Sequence, residues 1–402
     1  MQRKKMLIAV LAIALLVGVV SAATIQYFGQ IQMTANVRQA ILLDGQDYTT
    51  MPIKETIDAA GGEHFCGCHW LQSQTSVPVT VLFETTYSPS LTDAEITTEI
   101  YEIFDDAYPK SYVKPTSYDV YVNTLAELQS AVKNSANSGK TIAVESGDYT
   151  GGIIEITVSN IKLVSLYGPD ATLLKGVWIK ADEVTVMGFK IMPTAILGET
   201  TCVYLAPTLS NVEISYNELY RGDVVGHAVG VLLGLYGGGA SYTNIRIVHN
   251  KIHGLTTGIY TNSHAGTVDI NHNEIYSNEA GVGGATGATI EYNTFHDNYN
   301  SWSHWNEAIG VDDTATSLTI QYNNFLGDDS VAMYGTGWIG AHNNWWDCDG
   351  IDTHGNVVAS YLVKSDFTLQ PGETDWFAIY YKFAEDIYPY TYTITTTVKP
   401  SP

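Results

Sequence analysis

The chain is short of positive charge, short of cysteine and, beyond its first twenty residues, without a long apolar run. Only 19 Lys+Arg stand against 42 Asp+Glu in 402 residues, a formal net charge of −23. With so few cations no basic patch exists to neutralise phosphates, which argues against nucleic-acid binding. The same imbalance disfavours docking on anionic lipid and suits neutral or cationic partners. Four cysteines, Cys66, Cys68, Cys202 and Cys348, are too few to staple a chain of this length. Its stability has to come from buried apolar surface, and a 45% hydrophobic composition supplies it. No His-Glu-x-x-His stretch occurs, so nothing supports a zinc-protease reading.

The first residues are a targeting segment. A basic start, MQRKK, precedes an apolar run from Met6 to Val20, and Val20-Ser21-Ala22 places small residues where signal peptidase cuts. The expectation is a secretory signal over residues 1–22, cleaved after Ala22. An uncleaved anchor is the alternative, but a spanning helix needs about 20 apolar residues and this run is shorter. No later stretch matches it, so no stable membrane span is expected after cleavage, and the mature chain is placed outside the cytoplasm at the cell surface.

The middle of the chain repeats itself. Copies such as NVEISYNELY (211–220), NIRIVHNKIH (244–253), TVDINHNEIY (267–276), ATIEYNTFH (288–296), SLTIQYNNFL (317–326) and WIGAHNNWW (338–346) share an Asn at Asn217, Asn250, Asn273, Asn293, Asn323 and Asn343. Two earlier copies carry Leu166 and Phe189 in that slot, and the mean spacing is about 25 residues. Apolar residues alternate around the Asn: Ile214, Ile247, Ile270, Ile290 and Ile320 three before it, and Leu219, Ile252, Ile275, Phe295, Phe325 and Trp345 two after it. Alternation in short β-rich runs marks strands with one buried face. One such coil cannot close a core, but stacked coils bury a continuous apolar column at about 4.8 Å per step. An Asn repeated at one turn then forms a ladder, each side chain bonding its neighbours above and below while tolerating left-handed backbone geometry. Cys202 and Cys348 lie five coils apart, ~24 Å at that rise, which is beyond a disulfide's reach. Cys66 and Cys68 admit only a strained mutual bridge.

This pattern resembles the right-handed parallel β-helix, and specifically the NosD-like carbohydrate-binding and sugar-hydrolysis repeats, over about residues 122–355. The fold expected is all-β, with about eight coils over residues 123–360 and one short helix near Asn123–Asn137 capping the first coil. Residues 23–106 hold alternating Val/Thr/aromatic runs that read as the N-terminal part of a β-sandwich. Residues 107–122 form a linker, and residues 361–402 add C-terminal strands of the same character. The stretches Phe65-Cys-Gly-Cys-His-Trp70, Phe83-Glu-Thr-Thr-Tyr-Ser-Pro89 and PGETDWFAIYY (371–381) resemble TasA/camelysin-like archaeal surface proteins. That resemblance implies one sandwich split by the β-helix; two independent flanking pieces are the alternative. It also implies filaments, with the strand Ala23–Met33 pairing with a neighbouring subunit's sheet edge.

Candidate chemistry is sparse. GDDSVAM (327–333) and DCDGID (347–352) resemble polygalacturonase motifs, which makes Asp328, Asp329, Asp349 and Asp352 carboxylate candidates for glycoside hydrolysis. Their order is reversed relative to that family, however, and its Gly-His-Gly partner is missing. A lyase needs a cationic or basic side chain, and Arg246 is the candidate, although Asp269 on the next coil offers it an ion pair. Outward rings form two columns, one before the ladder Asn and one three after it. With the C-terminal aromatics they nominate Tyr216, Tyr220, Tyr276, Tyr292, Tyr322, Trp302, Trp305 and Trp346 for stacking against sugar rings; mutual stacking of neighbouring rings is the plainer reading. Turn carboxylates Asp312, Asp313, Asp328 and Asp329 are candidates for Ca2+, and His64, Cys66, Cys68 and His69 for another metal, where ligands so close in sequence would need others from elsewhere to complete a tetrahedral site. The function expected is a secreted structural or adhesive surface protein with polysaccharide as partner. The alternative is a β-helix polysaccharide lyase or glycoside hydrolase.

Overall fold

The computed structural model describes residues 41–47, 52–59, 62–92, 95–234, 240–261, 264–284, 287–299, 307–311, 318–327, 329–334, 338–347, 351–387 and 390–400. The signal-like segment and the strand proposed for filament pairing lie outside them. Among the described residues no helix is long and apolar enough to cross a membrane.

Residues 120–359 form a right-handed parallel β-helix with three long sheets. Sheet I has eleven strands running from Val120–Val122 to Val357–Ala359, and sheet II has nine from Gly147–Tyr149 to Trp345–Trp346. Sheet III has ten, from Ile154–Ile156 to Thr353–His354, one of them a short side strand. The register follows the repeat. Ile214, Ile247, Ile270, Ile290 and Ile320 stack in sheet I, and Leu219, Ile252, Ile275, Phe295 and Phe325 stack in sheet II. All ten point into one dry core. Each coil covers the apolar face of the next, which is why no single coil could stand alone.

The first coil is closed by a helix over Leu125–Ala131, shorter than the sequence suggests. The Thr124 hydroxyl accepts from the Glu127 amide, and the Glu127 carboxylate reaches back to the Asn123 amide at 3.0 Å. Leu128 and Val132 seal the end of the core. A separate turn follows at Ser135–Asn137, where the Asn134 side chain caps the Ala136 amide and starts a new element.

Strands from the two ends of the chain share two further sheets. Thr374–Phe383 lies between His64–Ser73 and Ile96–Ile103. Tyr390–Pro400 lies between Ile53–Ala59 and Val79–Ser88. Leu71, Val81, Phe367, Phe377 and Ile394 fill the space between the sheets. A smaller cluster joins this sandwich to the last coils: Tyr101 stacks on Tyr361 at 4.1 Å and packs against Trp345 and Phe104.

Candidate functional site

The Asn ladder is built from side-chain amides that leave no main-chain group stranded. Each Asn oxygen accepts from the amide of the Asn one coil earlier, at 2.9 Å for Asn250, 3.0 Å for Asn293 and 2.9 Å for Asn323. Each Asn NH2 donates to carbonyls of its own coil and the previous one. The final rung is Asn344, which accepts from the Asn323 amide at 2.9 Å, and not Asn343. In an Asn-Asn pair either residue fits the turn, and a one-residue slip reverses every neighbouring side chain. The discriminating signal was the apolar slot three residues earlier, where Asn344 aligns the buried Ala341 with the isoleucines and Asn343 would have aligned Gly340.

That slip also corrects Trp346. It points inward, stacked on Phe325 at 4.3 Å and 1% exposed, so it offers no face to a sugar. The left-handed conformation falls on the residue before each ladder Asn: Tyr216, His249, His272, Tyr292 and Tyr322 have φ of 53–58°. Their rings stack in a file at 4.8, 5.0, 5.4 and 5.2 Å.

The linker lies over this file as a strap. Phe104 sits edge-on against Tyr292 and Tyr322, and its amide and carbonyl both bond the Asn324 side chain. The Lys110 amide donates to His249 Nδ1 at 3.3 Å, and Tyr112 packs on Tyr216 and donates to the Ser165 carbonyl. Gly188, at φ +82°, lies against the Tyr112 ring, which any Cβ there would strike. Phe104 thus packs an edge over Tyr292 and Tyr322, which stay half-buried. Periodicity cannot foresee this, because the strap has no repeat.

Where the strap lifts away, it leaves a 380 Å³ cleft lined by Pro109 to Tyr112, Pro169, Asp170, Tyr216 to Glu218, His249 and Lys251. Burial, helped by His272 and Lys110, drives the His249 imidazole down to about 4, so it is neutral at physiological pH. Glu218 accepts from Lys190 at 2.6 Å and faces His253 at 3.3 Å, and these partners hold its carboxyl at about 2 against the opposing effect of burial. One coil on, Lys251 and His296 flank Glu274 at 3.4 Å each. Tyr220 and Tyr276 alternate with His253 and His296 in a second ring file beside these pairs.

The other candidates are dispersed. Asp329 is 2% exposed and serves as a rung of a second ladder that the sequence reading missed, Asn278–Asn298–Asp329. Its carboxylate accepts from the Asn298 amide and NH2 at 3.0 and 2.7 Å, as an Asn oxygen does at the preceding rung. The signal for this ladder was an Asn five residues after the first, at Asn278 and Asn298. Arg246 pairs with Glu213 rather than with Asp269, on the outer face of sheet I and away from Asp352 beside sheet III. Asp352 faces His354 at 3.5 Å.

Cys66 is disulfide-bonded and so offers no thiolate, whereas Cys68 and Cys202 are thiols pushed up by burial, Cys68 also by Asp347. Strand alternation puts His69 on the opposite face from Cys66 and Cys68, bonded to Asp44 at 2.8 Å. His64 stacks on Tyr380. Among the described residues no three His, Cys, Asp or Glu side chains gather as a metal site. Asp312, Asp313, Asp328, Asp349, Trp302 and Trp305 lie outside the described residues.

No protein-family model matches the chain, and no curated protein is similar to it. Solved structures similar in fold include an alginate lyase from Paenibacillus sp. str. FPU-7, at 19% identity over 59% of this chain and 98% of that one, with a TM-score of 0.39. A pectate lyase, Bsp165PelA from Bacillus sp. N165 in complex with trigalacturonate, matches at 17% identity over 58% and 72%, with a TM-score of 0.33. The catalytic unit of a GH87 α-1,3-glucanase from Streptomyces thermodiastaticus matches at 12% identity over 80% and 96%, with a TM-score of 0.29.

Proposed function

We propose that this chain is an extracellular surface protein whose β-helix binds polysaccharide, with one sugar unit seated in the cleft under the 109–112 strap. The make-up of that cleft carries the reading. It offers donors in Lys110, Lys251 and the Tyr216 hydroxyl, acceptors in Asp170 and Glu218, and ring faces in Tyr112, Tyr216 and His249. A sugar presents hydroxyls that both donate and accept, along with C–H faces that pack on rings, so a mixed polar and aromatic concavity suits it. The basic start and apolar run of residues 1–20 support export.

A second reading, β-elimination by a polysaccharide lyase, is favoured by one feature of the same cleft. Two ammonium groups that can neutralise a uronate stand beside the Tyr216 phenol and a His249 imidazole kept neutral. The His249 Nδ1 already accepts from the Lys110 amide, so proton transfer would fall to Tyr216.

Calorimetric titration against a panel of acidic and neutral oligosaccharides tests binding, and ultraviolet absorbance of unsaturated products tests elimination. We expect at least one oligosaccharide to bind and the Lys110→Ala/Lys251→Ala chain to lose about tenfold in affinity, about 1.4 kcal/mol. Absence of binding across the panel, or binding indifferent to both lysines, would refute the cleft as the site. Turnover abolished by Tyr216→Phe would move the protein to the lyase reading.

A further inference from the structure

Two polar side chains face each other across the interior of the sandwich. Ile53, Glu55 and Ile57 alternate on the inward face of one sheet, and both isoleucines belong to the core. Gly67, His69 and Leu71 alternate on the inward face of the other sheet, where Leu71 is core and the His69 ring packs on Phe377. A carboxylate and an imidazole in slots that otherwise take apolar side chains need a compensating partner.

The imidazole has such a partner on one side only. Its Nδ1 lies 2.8 Å from the Asp44 carboxylate. A carboxylate accepts only, so this nitrogen carries the proton, and in the neutral ring Nε2 keeps the lone pair. Nε2 is buried and has no hydrogen-bond partner. Glu55 Oε1 stands 3.9 Å from it, beyond hydrogen-bond length. Two acceptors thus face each other with no proton between them.

Gly67 keeps the space beside this pair open. A Cβ there would come 2.6 Å from Glu55 Oε1 and 3.1 Å from His69 Nε2. Two ligands of one tetrahedral Zn2+, each ~2.1 Å from the ion, stand ~3.4 Å apart, so a closure of about half an ångström lets both bind. A cleft of about 250 Å³, with Asp44, Gln46, Lys54, Glu55 and His69 in its wall, gives water a route to the remaining coordination positions. Lys54 is exposed, and alternation turns it to the face opposite Glu55. The Tyr381 hydroxyl also bonds Glu55, and a carboxylate accepting it retains lone pairs for a metal. A carboxylate behind the far nitrogen is the arrangement that orients a metal-bound histidine and raises its basicity. One imidazole nitrogen and one carboxylate oxygen suit Zn2+, whereas Ca2+ takes six or more oxygens.

We propose that His69 Nε2 and the Glu55 carboxylate bind a Zn2+ ion, with Asp44 orienting the imidazole and water completing the shell, so that the ion clips the two sheets of the sandwich together. The site shares no residue with the strap cleft, so the two readings stand or fall separately.

The test titrates the untagged full chain, stripped of metal by a chelator, with zinc chloride in a calorimeter, and follows thermal unfolding with and without the metal. One equivalent binds with a Kd of about 10 µM or tighter and raises the melting temperature. Glu55→Gln, nearly isosteric, and Gly67→Ala, which fills the space beside the pair, each weaken binding by about tenfold or more and remove the melting shift. Asp44→Asn, on an exposed turn, weakens it by about tenfold. Metal-free melts accompany each variant, and Asp44→Asn decides the matter if the inward substitutions fail to fold. The proposal is overturned if no equivalent binds below about 100 µM, or if affinity is unchanged in Glu55→Gln or, where that chain does not fold, in Asp44→Asn. Binding retained by His69→Gln would place the ion on another of the chain's 11 histidines and overturn it too.

Discussion

Replacing Asp329 by Asn tests the distinction between a ladder rung and a functional carboxylate. Asp329 occupies the position that Asn278 and Asn298 hold in the two preceding coils, and it accepts from the Asn298 amide and NH2. Burial pushes its carboxyl up to about 7, the two Asn298 bonds opposing the rise. An unfolded chain would hold it near ~3.9, so the gap is roughly three pH units, or ~4 kcal/mol at ~1.4 kcal/mol per unit, as an upper bound. The folded state is thus the better proton binder. The stability this contributes is complete below pH ~4 and is lost as pH rises through about 7. Asn keeps an acceptor oxygen and carries no charge. Urea unfolding followed by tryptophan fluorescence should find Asp329→Asn more stable than the parent by ~2–4 kcal/mol at pH about 8, and equal within ~1 kcal/mol at pH about 4. A variant less stable at pH about 8, or a difference flat with pH, would refute the ladder account. It would return Asp329 to an ionic or catalytic role.

Two further outcomes follow from the same bonds. Asn273→Ala strands the Asn250 amide and the carbonyls of Ile247 and Asn271 in the core, and should cost ~3–5 kcal/mol in urea unfolding. Glu218→Gln removes a carboxyl held at about 2 by His253 and Lys190. A depressed carboxyl stabilises above pH ~4.3 and loses that contribution as pH falls toward about 2, so the variant's acid-unfolding curve should be shallower than the parent's over that interval.

The β-helix was legible because its contacts recur one coil apart. Ile247 meets Ile214 and Ile270 in every reading that keeps the Asn spacing, and the structure holds that register. The reading slipped at Asn343, where two adjacent Asn made the turn degenerate, and the slip carried Trp346 from core to surface. It also assigned the left-handed turn to the Asn, whereas Tyr216, His249 and His272 take it. Asp329 read as a carboxylate in a motif because its partner, Asn298, lies a whole coil away. The His64–His69 group read as a cluster because proximity in sequence hides the alternation of a strand, and the disulfide at Cys66 further removes it as a ligand set.

By itself the sequence determined the stack: a period of about 25 residues and isoleucines three before an Asn, in a chain of net charge −23. Only the tertiary structure decided where the strap crosses the ring file and where the cleft lies. The physical reason is range. A repeat contacts its own copy at a spacing printed in the chain. Phe104 reaches Asn324 across 220 residues and Lys110 reaches His249 across 139, with no period to announce either.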